Sequence, residues 1–239
     1  LSSSSAASDV YKRQTMASAD PTLTAVQSWF DEHAPTHLAG AWDNVGLIAQ
    51  SPVPSEATGV FLAVDLTPAV AEELLARGDI RVAVVYHPVI FGGVKALTMQ
   101  NALQRSILRC IAAGIHLYCP HTTLDACHGG INDWLMAGLS HAWETCAPGD
   151  LYGAVQHATY EVIEPNDRDP SVGMGRRLVW AQPVAWSTLV ARTKALLRVP
   201  YVQVAPAPGV TEASAMQSLG VCAGSGSSIL RRCAVDVFV

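Results

Sequence analysis

The sequence predicts an α/β protein whose chain divides into two halves. Three apolar segments in the first half have the composition of buried strands: Val60–Leu66, Ile80–Tyr86 and Gly114–Tyr118. Amphipathic helical patterns separate them, so strand and helix alternate along the chain. Because such βαβ units have right-handed crossovers, we expect these strands to form a mainly parallel sheet. A stretch at 140–175 that is rich in Pro, Gly and Asp indicates the break between the halves.

The composition limits the classes of function. The chain has 239 residues, of which 50% are hydrophobic and 15% charged, so it can bury a large core. The net charge is −5 with no block of Lys or Arg, which argues against direct binding of nucleic acid through its phosphates. No apolar run approaches the roughly 20 residues that span a bilayer, so we expect a soluble protein without a membrane partner.

The cysteines indicate the compartment. Six of them are scattered along the chain without a Cys-x-x-Cys pair: Cys110, Cys119, Cys127, Cys146, Cys222 and Cys233. In a chain of this length the pattern predicts buried free thiols of a reducing compartment, with thiolate ligation of a metal as the alternative. We therefore expect a cytoplasmic protein, with the nucleus and the mitochondrion as alternatives.

The N-terminal region begins with a segment that we exclude from the fold. Residues 1–15 are low in complexity and lack the apolar centre of a secretory signal, so we interpret them as a non-native leader before a start at Met16. An apolar stripe then predicts a helix from Thr22 to His33. The segment Trp42–Ile48 predicts an Asx turn followed by a short edge strand.

The helices between the three strands have recognisable starts. Thr67 is predicted to cap a helix with Pro68 at its first position, and this helix ends at Arg77 before Gly78. Thr98 is predicted to cap a longer helix that continues to Ala113.

We assign residues 16–145 to an N-terminal lobe and residues 146–239 to a C-terminal lobe. Gly173–Arg176 is predicted to be a turn, Ser187 to cap a helix through Leu197, and Gly224 to open a helix through Cys233. The strands predicted for the C-terminal lobe are Tyr160–Ile163, Leu178–Trp180, Tyr201–Val204, Leu219–Cys222 and Val235–Val239.

Two predicted strands end at residues that can bind metals. His87 follows the second strand and is held extended by Pro88, while His121 and Asp125 follow the third. Since ligands collect at the carboxyl ends of parallel strands, we expect a metal site formed by these three residues. Imidazole and carboxylate ligands suit Zn, Mn or Fe, and a carboxylate can bridge two ions. The alternative for His87 alone is a hydrogen-bonded structural histidine. His116, inside an apolar strand, is expected to be a core residue.

A glycine-rich segment offers a second candidate site. Gly224, Ser225, Gly226 and Ser227 lie after a predicted strand and before a predicted helix, where free backbone amides can hold an anion. Tight packing of the helix against the sheet explains the glycines equally well. The segment lacks the lysine of a P-loop and the spacing of a dinucleotide fingerprint.

Taken together, the motifs resemble those of the Nif-three-like family, also called GTP cyclohydrolase type two homologues. The matching pieces occur in family order: Trp42–Leu47, Tyr86–Phe91, His121–Asp125, Gly130–Leu135, Gly173–Arg176 and Gly224–Ser227. The resemblance implies two similar α/β lobes with mainly parallel or mixed sheets, flanked by helices. It also implies two divalent metal ions in the cleft between the lobes and assembly into a hexamer.

The resemblance assigns roles residue by residue. Asp125 matches the bridging carboxylate, and His87 matches the second histidine of a His-His-Pro ligand pair, with Tyr86 in place of the first, as in the eukaryotic branch. His121 matches a recurrent histidine of the site. Family members continue beyond the strand that ends at Val239 and supply further ligands there, so we expect this chain to be truncated at its C-terminus.

Two functions follow from the resemblance. The first is a metal-dependent hydrolase of an anionic, nucleotide-like small molecule, in which His121 transfers a proton and the amides of 224–227 hold the anion. The GTP cyclohydrolase activity is suggested by the family name alone. The second is a non-catalytic metal-binding scaffold that interacts with transcription factors.

Overall fold

The computed structural model describes residues 20–140 and 160–239, and it divides the chain into two compact units. The described part of unit 1 consists of residues 20–32 and 42–121; that of unit 2 consists of residues 33–41, 122–140 and 160–239. The predicted leader, 1–15, and the predicted lobe boundary between residues 145 and 146 lie outside the described residues.

Unit 1 contains a four-stranded sheet with the strand order β1-β4-β3-β2. Strands β2, β3 and β4 are parallel, as their alternation with helices predicts. Strand β1 is antiparallel to β4 and lies at the edge of the sheet, which confirms the edge strand predicted after Trp42. The strands are β1 (Gly46–Ala49), β2 (Gly59–Ala63), β3 (Ile80–Val85) and β4 (His116–Cys119).

Three helices accompany this sheet: α1 (Pro21–His33), α2 (Pro68–Arg77) and α3 (Ala102–Ala112). The predicted cap of α2 is confirmed, because the Thr67 hydroxyl accepts a hydrogen bond from the amide of Val70 at 3.2 Å. The predicted cap of α3 is wrong. Asn101, not Thr98, accepts from the amide of Gln104 at 3.0 Å, so α3 begins three residues later than expected.

The core of unit 1 lies between the sheet and helices α2 and α3. Every residue of β3 is buried, which is typical of a central parallel strand. Leu74 from α2, Ile107 from α3 and Leu117 from β4 pack in one apolar cluster. The next residue of β4, Tyr118, packs against α1, with the Phe30 ring stacked on it and the centroids 4.6 Å apart.

A buried polar network fixes the start of α1. Asp20 Oδ1 accepts from the amide of Leu23 at 2.9 Å, while Oδ2 accepts from Arg81 Nε and lies 3.4 Å from His116 Nε2. Arg81 also donates to the backbone carbonyl of Gly114. His116 is buried, as expected for a core histidine, and burial lowers its pKa below the ordinary value.

Unit 2 contains a second four-stranded sheet with the strand order β5-β6-β7-β8. Strands β5, β6 and β7 are antiparallel neighbours, and β8 is parallel to β7, so this sheet is mixed. The strands are β5 (Glu161–Pro165), β6 (Gly173–Ala185), β7 (Ala215–Val221) and β8 (Val237–Phe238). Each unit therefore has a four-stranded mixed sheet with helices, which confirms the predicted fold class.

One turn prediction and one strand prediction in unit 2 are wrong. The turn predicted at Gly173–Arg176 is the beginning of β6, because the positive φ angles of Gly173 and Gly175 are accommodated within a paired strand. The segment Tyr201–Val204 is not a strand. Tyr201 is 85% exposed, and the segment has no sheet partner in the described part of unit 2.

The helices of unit 2 are α4 (Thr122–Ala126), α5 (Ile131–Leu139), α6 (Trp186–Leu197) and α7 (Ser227–Leu230). Helix α6 ends as predicted but begins at Trp186, so Ser187 lies inside the helix and does not cap it. Helix α7 is four residues long and does not reach Cys233. Within the described ranges, no helix is long and apolar enough to cross a membrane.

A charged pair lies in the interior of unit 2. Arg176 from β6 and Asp133 from α5 are both buried, and Arg176 Nε donates to Asp133 Oδ1. The guanidinium also donates to the carbonyl of Gly173 at 2.7 Å, and Asp133 Oδ2 accepts from the amide of Gly129 at 2.7 Å. Both charges are thus compensated by hydrogen bonds as well as by each other.

The five cysteines that the structure describes are free and buried, which confirms for them the prediction from the sequence. Burial raises the pKa of the Cys110 thiol to about 11 and that of Cys119 to about 12. Cys146 lies outside the described residues.

Candidate metal centre

His87 lies just beyond the carboxyl end of β3. The amides of Tyr86 and His87 continue the pairing with the β2 side of the sheet, donating to the carbonyls of Ala63 and Val64 at 2.9 Å each. Hydrogen bonds to the neighbouring segment therefore fix the backbone as far as His87. Its imidazole Nδ1 is 2.8 Å from Asp65 Oδ1, and both side chains are about half exposed.

His121 lies beyond the carboxyl end of the neighbouring strand, β4. Its φ angle is +34°, a left-handed conformation that few residues other than glycine adopt and that often marks a functional position. Its Nδ1 is 2.7 Å from Asp43 Oδ1, and the Asp43 side chain is fully buried. Burial and the nearby Asp43 charge together raise the pKa of the Cys119 thiol.

The two histidines form a pair within unit 1. Their ring centroids are 5.8 Å apart, and each ring has its Nδ1 engaged by a carboxylate, so the Nε2 atoms are left for another partner. Asp43 belongs to the Trp42–Leu47 motif but has no predicted role there, and no motif predicts Asp65. The signal for Asp65 is its position: it follows the end of β2 as His87 follows the end of β3.

Three aromatic rings surround the His121 imidazole. The centroids of Tyr86, Trp42 and Phe91 lie 5.7, 6.3 and 6.4 Å from it, each with its plane steeply inclined to the imidazole plane. Trp42 and Phe91 also contact each other edge to face, with centroids 6.1 Å apart. These rings shield the imidazole on several sides, although no motif had predicted this arrangement.

Asp125 belongs to unit 2, on the short helix α4, and is buried. Its backbone carbonyl accepts from Asn132 Nδ2 at 3.0 Å, and Asn132 Oδ1 accepts from the amide of Ala223 at 2.7 Å. The buried Asn132 therefore ties Asp125 to the start of the glycine-rich segment. Burial, and to a smaller extent the Asp125 charge, raises the pKa of the Cys222 thiol to about 11.

The glycine-rich segment 224–227 contains one glycine with a clear packing role. A Cβ atom on Gly226 would lie 2.4 Å from Cys222 Cβ, so the backbone approaches too closely for a larger residue. Gly224 has a φ of +69° and open space around it, and Ser225 and Ser227 are exposed.

The structure thus groups the predicted site residues in two sets. His87 and His121 come together in unit 1, whereas Asp125 and the segment 224–227 are linked through Asn132 in unit 2. In residues 20–140 and 160–239, no group of three or more His, Cys, Asp or Glu side chains is arranged to hold a metal ion. The metal site therefore stays a prediction.

The sequence matches the family model described as Duf34/NIF3 (NGG1p interacting factor 3) over residues 21–239. The chain belongs to the DUF34/NIF3 family. This match confirms the resemblance inferred from the six motifs, and it covers nearly all of the described chain.

Curated relatives in two yeasts are similar to this chain. The protein NIF3 homolog of Schizosaccharomyces pombe is 37% identical over 202 residues, which cover 84% of this chain and 68% of that protein. The NGG1-interacting factor 3 of Saccharomyces cerevisiae is 35% identical over 207 residues, covering 82% of this chain and 68% of that protein.

Solved structures share the fold at low identity. SA1388 from Staphylococcus aureus superposes with a TM-score of 0.70 at 22% identity, covering 92% of this chain and 78% of that one. Reduced HcgD from Methanocaldococcus jannaschii gives a TM-score of 0.65 at 20% identity, with coverages of 90% and 76%. At these identities the likeness concerns the fold alone.

Proposed function

We propose that this chain is a metal-dependent hydrolase of a phosphorylated, nucleotide-like small molecule, and that His87 and His121 bind its metal. One observation carries the proposal: the Nδ1 atoms of both rings are engaged by carboxylates, at 2.8 Å from Asp65 and 2.7 Å from Asp43. Histidines that ligate metals almost always have their other ring nitrogen held in this way. The carboxylate fixes the tautomer and leaves the Nε2 lone pair available to a metal.

The donor set fits a divalent transition metal. Imidazole nitrogens suit Zn or Fe, and a carboxylate ligand extends the range to Mn. Two such ions and ligation by Asp125 are carried over from the family resemblance. When bound, the metal would polarise a substrate oxygen and lower the pKa of a coordinated water. Asp65 and Asp43 would hold the two rings in the orientation that ligation requires.

The two roles predicted for His121 exclude each other. Since Asp43 engages Nδ1, a single ring nitrogen remains, and that atom can either bind a metal or transfer a proton. We propose the ligand role, because the buried Asp43 carboxylate is the usual second partner of a ligating imidazole. The amides of 224–227 remain the proposed holder of the substrate anion, supported by the open surroundings of Gly224.

Elemental analysis of the purified whole chain tests the metal site. We expect bound divalent metal in the wild type and its loss in His87→Asn and His121→Asn. Asparagine is chosen because it tolerates the positive φ of His121. The matched control is His37→Asn, an exposed histidine of unit 2, which should retain the metal. Equal metal content in all four proteins would contradict the proposal.

A carboxylate variant separates the two roles of His121. We expect Asp43→Asn to weaken metal affinity by about 10- to 100-fold, the usual loss when the second partner of a ligating histidine is removed. If His121 transferred a proton instead, Asp43→Asn and His121→Asn would leave the metal content unchanged and would alter only the pH profile of hydrolysis.

The second candidate function is a non-catalytic metal-binding scaffold that regulates a transcription factor. It is favoured by the name of the Saccharomyces cerevisiae relative, NGG1-interacting factor 3. Binding of this chain to purified NGG1, measured with and without a chelator, tests it. Binding that survives removal of the metal, together with no hydrolysis of nucleotides, would support the scaffold over the enzyme. Light scattering tests the hexamer that the family resemblance implies.

A further inference from the structure

We propose that Trp42 and Phe91 form a stacking site for a planar aromatic ring, so that the substrate of the proposed hydrolase carries a base next to its anionic group. This inference rests on the proposed function, because only that function makes the stacked ligand a substrate. The first observation is that both side chains are exposed to solvent. Trp42 is 65% exposed and Phe91 is 56% exposed, although they are large rings in contact with each other. Large apolar side chains grouped on a surface commonly mark a binding site.

The geometry leaves ring faces available to a ligand. The planes of Trp42 and Phe91 are inclined to the His121 imidazole by 88° and 87°, so each contact with it is edge to face. The two rings meet each other at 63°, which is also a tilted contact. None of these three contacts is a parallel stack that would cover both rings, and the high exposure agrees with open faces. A planar ring could therefore stack on either one.

Hydrogen bonds fix the two chain segments that carry these rings before any ligand binds. Asp43 Oδ1 accepts from the amide of Asn44 at 2.8 Å and also engages His121, which fixes the turn that carries Trp42. Asn44 Nδ2 donates to the carbonyl of Ile90 at 2.5 Å, which ties the same turn to the residue before Phe91. A binding surface fixed in advance loses little conformational entropy on binding, and this favours specific ligand recognition.

The surroundings favour a ring with polar edges over an aliphatic partner. The His121 imidazole lies beside the aromatic pair, and the His87 imidazole lies 5.8 Å from that of His121. Asp43 and Asp65 contact the Nδ1 atoms of these two rings. A base stacked on Trp42 would keep its face on apolar surface and its polar edge near hydrogen-bonding groups. Stacking of a base on an aromatic side chain tolerates any base, so the site selects a class of ligand and not one nucleotide.

Calorimetric titration of the whole chain with two probes tests the inference. Guanosine 5′-monophosphate carries a base, and ribose 5-phosphate is its counterpart without one. We expect the nucleotide to bind at least about tenfold more tightly to the wild type. Trp42→Ala and Phe91→Ala should each lose about tenfold for the nucleotide, while binding of ribose 5-phosphate stays unchanged. Trp42→Phe should retain most of the affinity.

Trp29→Ala is the matched control, because Trp29 is a half-exposed tryptophan of the same unit that packs edge to face on Phe30. It should bind the nucleotide like the wild type. Equal affinity for the two probes, or nucleotide affinity unaffected by Trp42→Ala and Phe91→Ala, would overturn the inference. The inference would also be overturned if Trp42→Ala and Phe91→Ala abolished self-association in light scattering but kept the nucleotide affinity. The two rings would then contact a second copy of the chain.

Titrations in a chelator and metal analysis of the same samples separate the two proposals. Ring-dependent binding in a chain that never contains metal would refute the hydrolase and leave the stacking site standing. Bound metal at His87 and His121 with no preference for the base would refute the stacking site alone.

Discussion

Asp20→Ala is expected to destabilise unit 1 strongly, because the two oxygens of this carboxylate make different stabilising contacts. Oδ1 caps α1 through the amide of Leu23 at 2.9 Å, and Oδ2 neutralises the buried Arg81 guanidinium. Losing an N-cap costs about 1 kcal/mol. Leaving a buried charge without its partner costs about 3–5 kcal/mol. The expected loss in the free energy of unfolding is therefore about 4–6 kcal/mol.

Asp20→Asn separates the two contributions. Asparagine caps helices about as well as aspartate, so this variant keeps the cap and removes only the charge. Urea unfolding at neutral pH should place it about 1 kcal/mol above Asp20→Ala. Equal stability of wild type and Asp20→Asn would refute the assignment of most of the energy to the Arg81 pair.

The pH dependence gives an independent check. Burial raises the pKa of Asp20, but the Leu23 amide and the Arg81 guanidinium outweigh it and hold this pKa below the ordinary 3.8. The stabilisation from the charge is therefore fully present above that value and is lost as the pH falls through the lower pKa of the folded state. The stability difference between wild type and Asp20→Asn should shrink below about pH 4.

Three further predictions concern unit 2 and the thiols. Gly226→Ala should lower the free energy of unfolding by about 1–3 kcal/mol through its overlap with Cys222, while Gly92→Ala, which meets no atom within 4 Å, should not. Arg176→Met should cost about 3–5 kcal/mol by leaving Asp133 unpaired, and the double variant with Asp133→Leu should recover much of that loss in the same urea titration. Burial raises the pKa values of four thiols to about 11 or 12: Cys110, Cys119, Cys127 and Cys222. These four should resist iodoacetamide at pH 8 until urea exposes them, and modification mapped to any of them in the native chain would contradict this.

The parallel sheet of unit 1 could be predicted because its signals are local. The strand Ile80–Val85 consists of β-branched and apolar residues except for Arg81, and the Thr67-Pro68 pair marks the start of the helix before it without reference to the rest of the chain. In unit 2 the local signals conflict with the tertiary structure. The glycines at 173 and 175 have the composition of a turn, yet pairing with β5 keeps them in a strand. Tyr201–Val204 has strand composition but no strand to pair with in the described chain.

The candidate site could be predicted only in part, because only some of its signals are local in the sequence. His87 and His121 follow strand ends, and this position is visible in the sequence. Their carboxylate partners are not, since Asp65 lies 22 positions and Asp43 78 positions away along the chain. Only the fold brings these residues within hydrogen-bonding distance. The aromatic pair beside His121 was missed because Trp42 and Phe91 belong to separate motifs that no sequence period connects.

Asn132 joins two segments of unit 2 through its side-chain amide. One side-chain amide, fully buried, holds the Asp125 carbonyl with its nitrogen and the Ala223 amide with its oxygen. Because the amide is rigid and both of its ends are engaged, the segments it joins cannot shift independently without breaking a buried hydrogen bond. Asn132 therefore fixes the spacing between the helix that carries Asp125 and the start of the 224–227 segment.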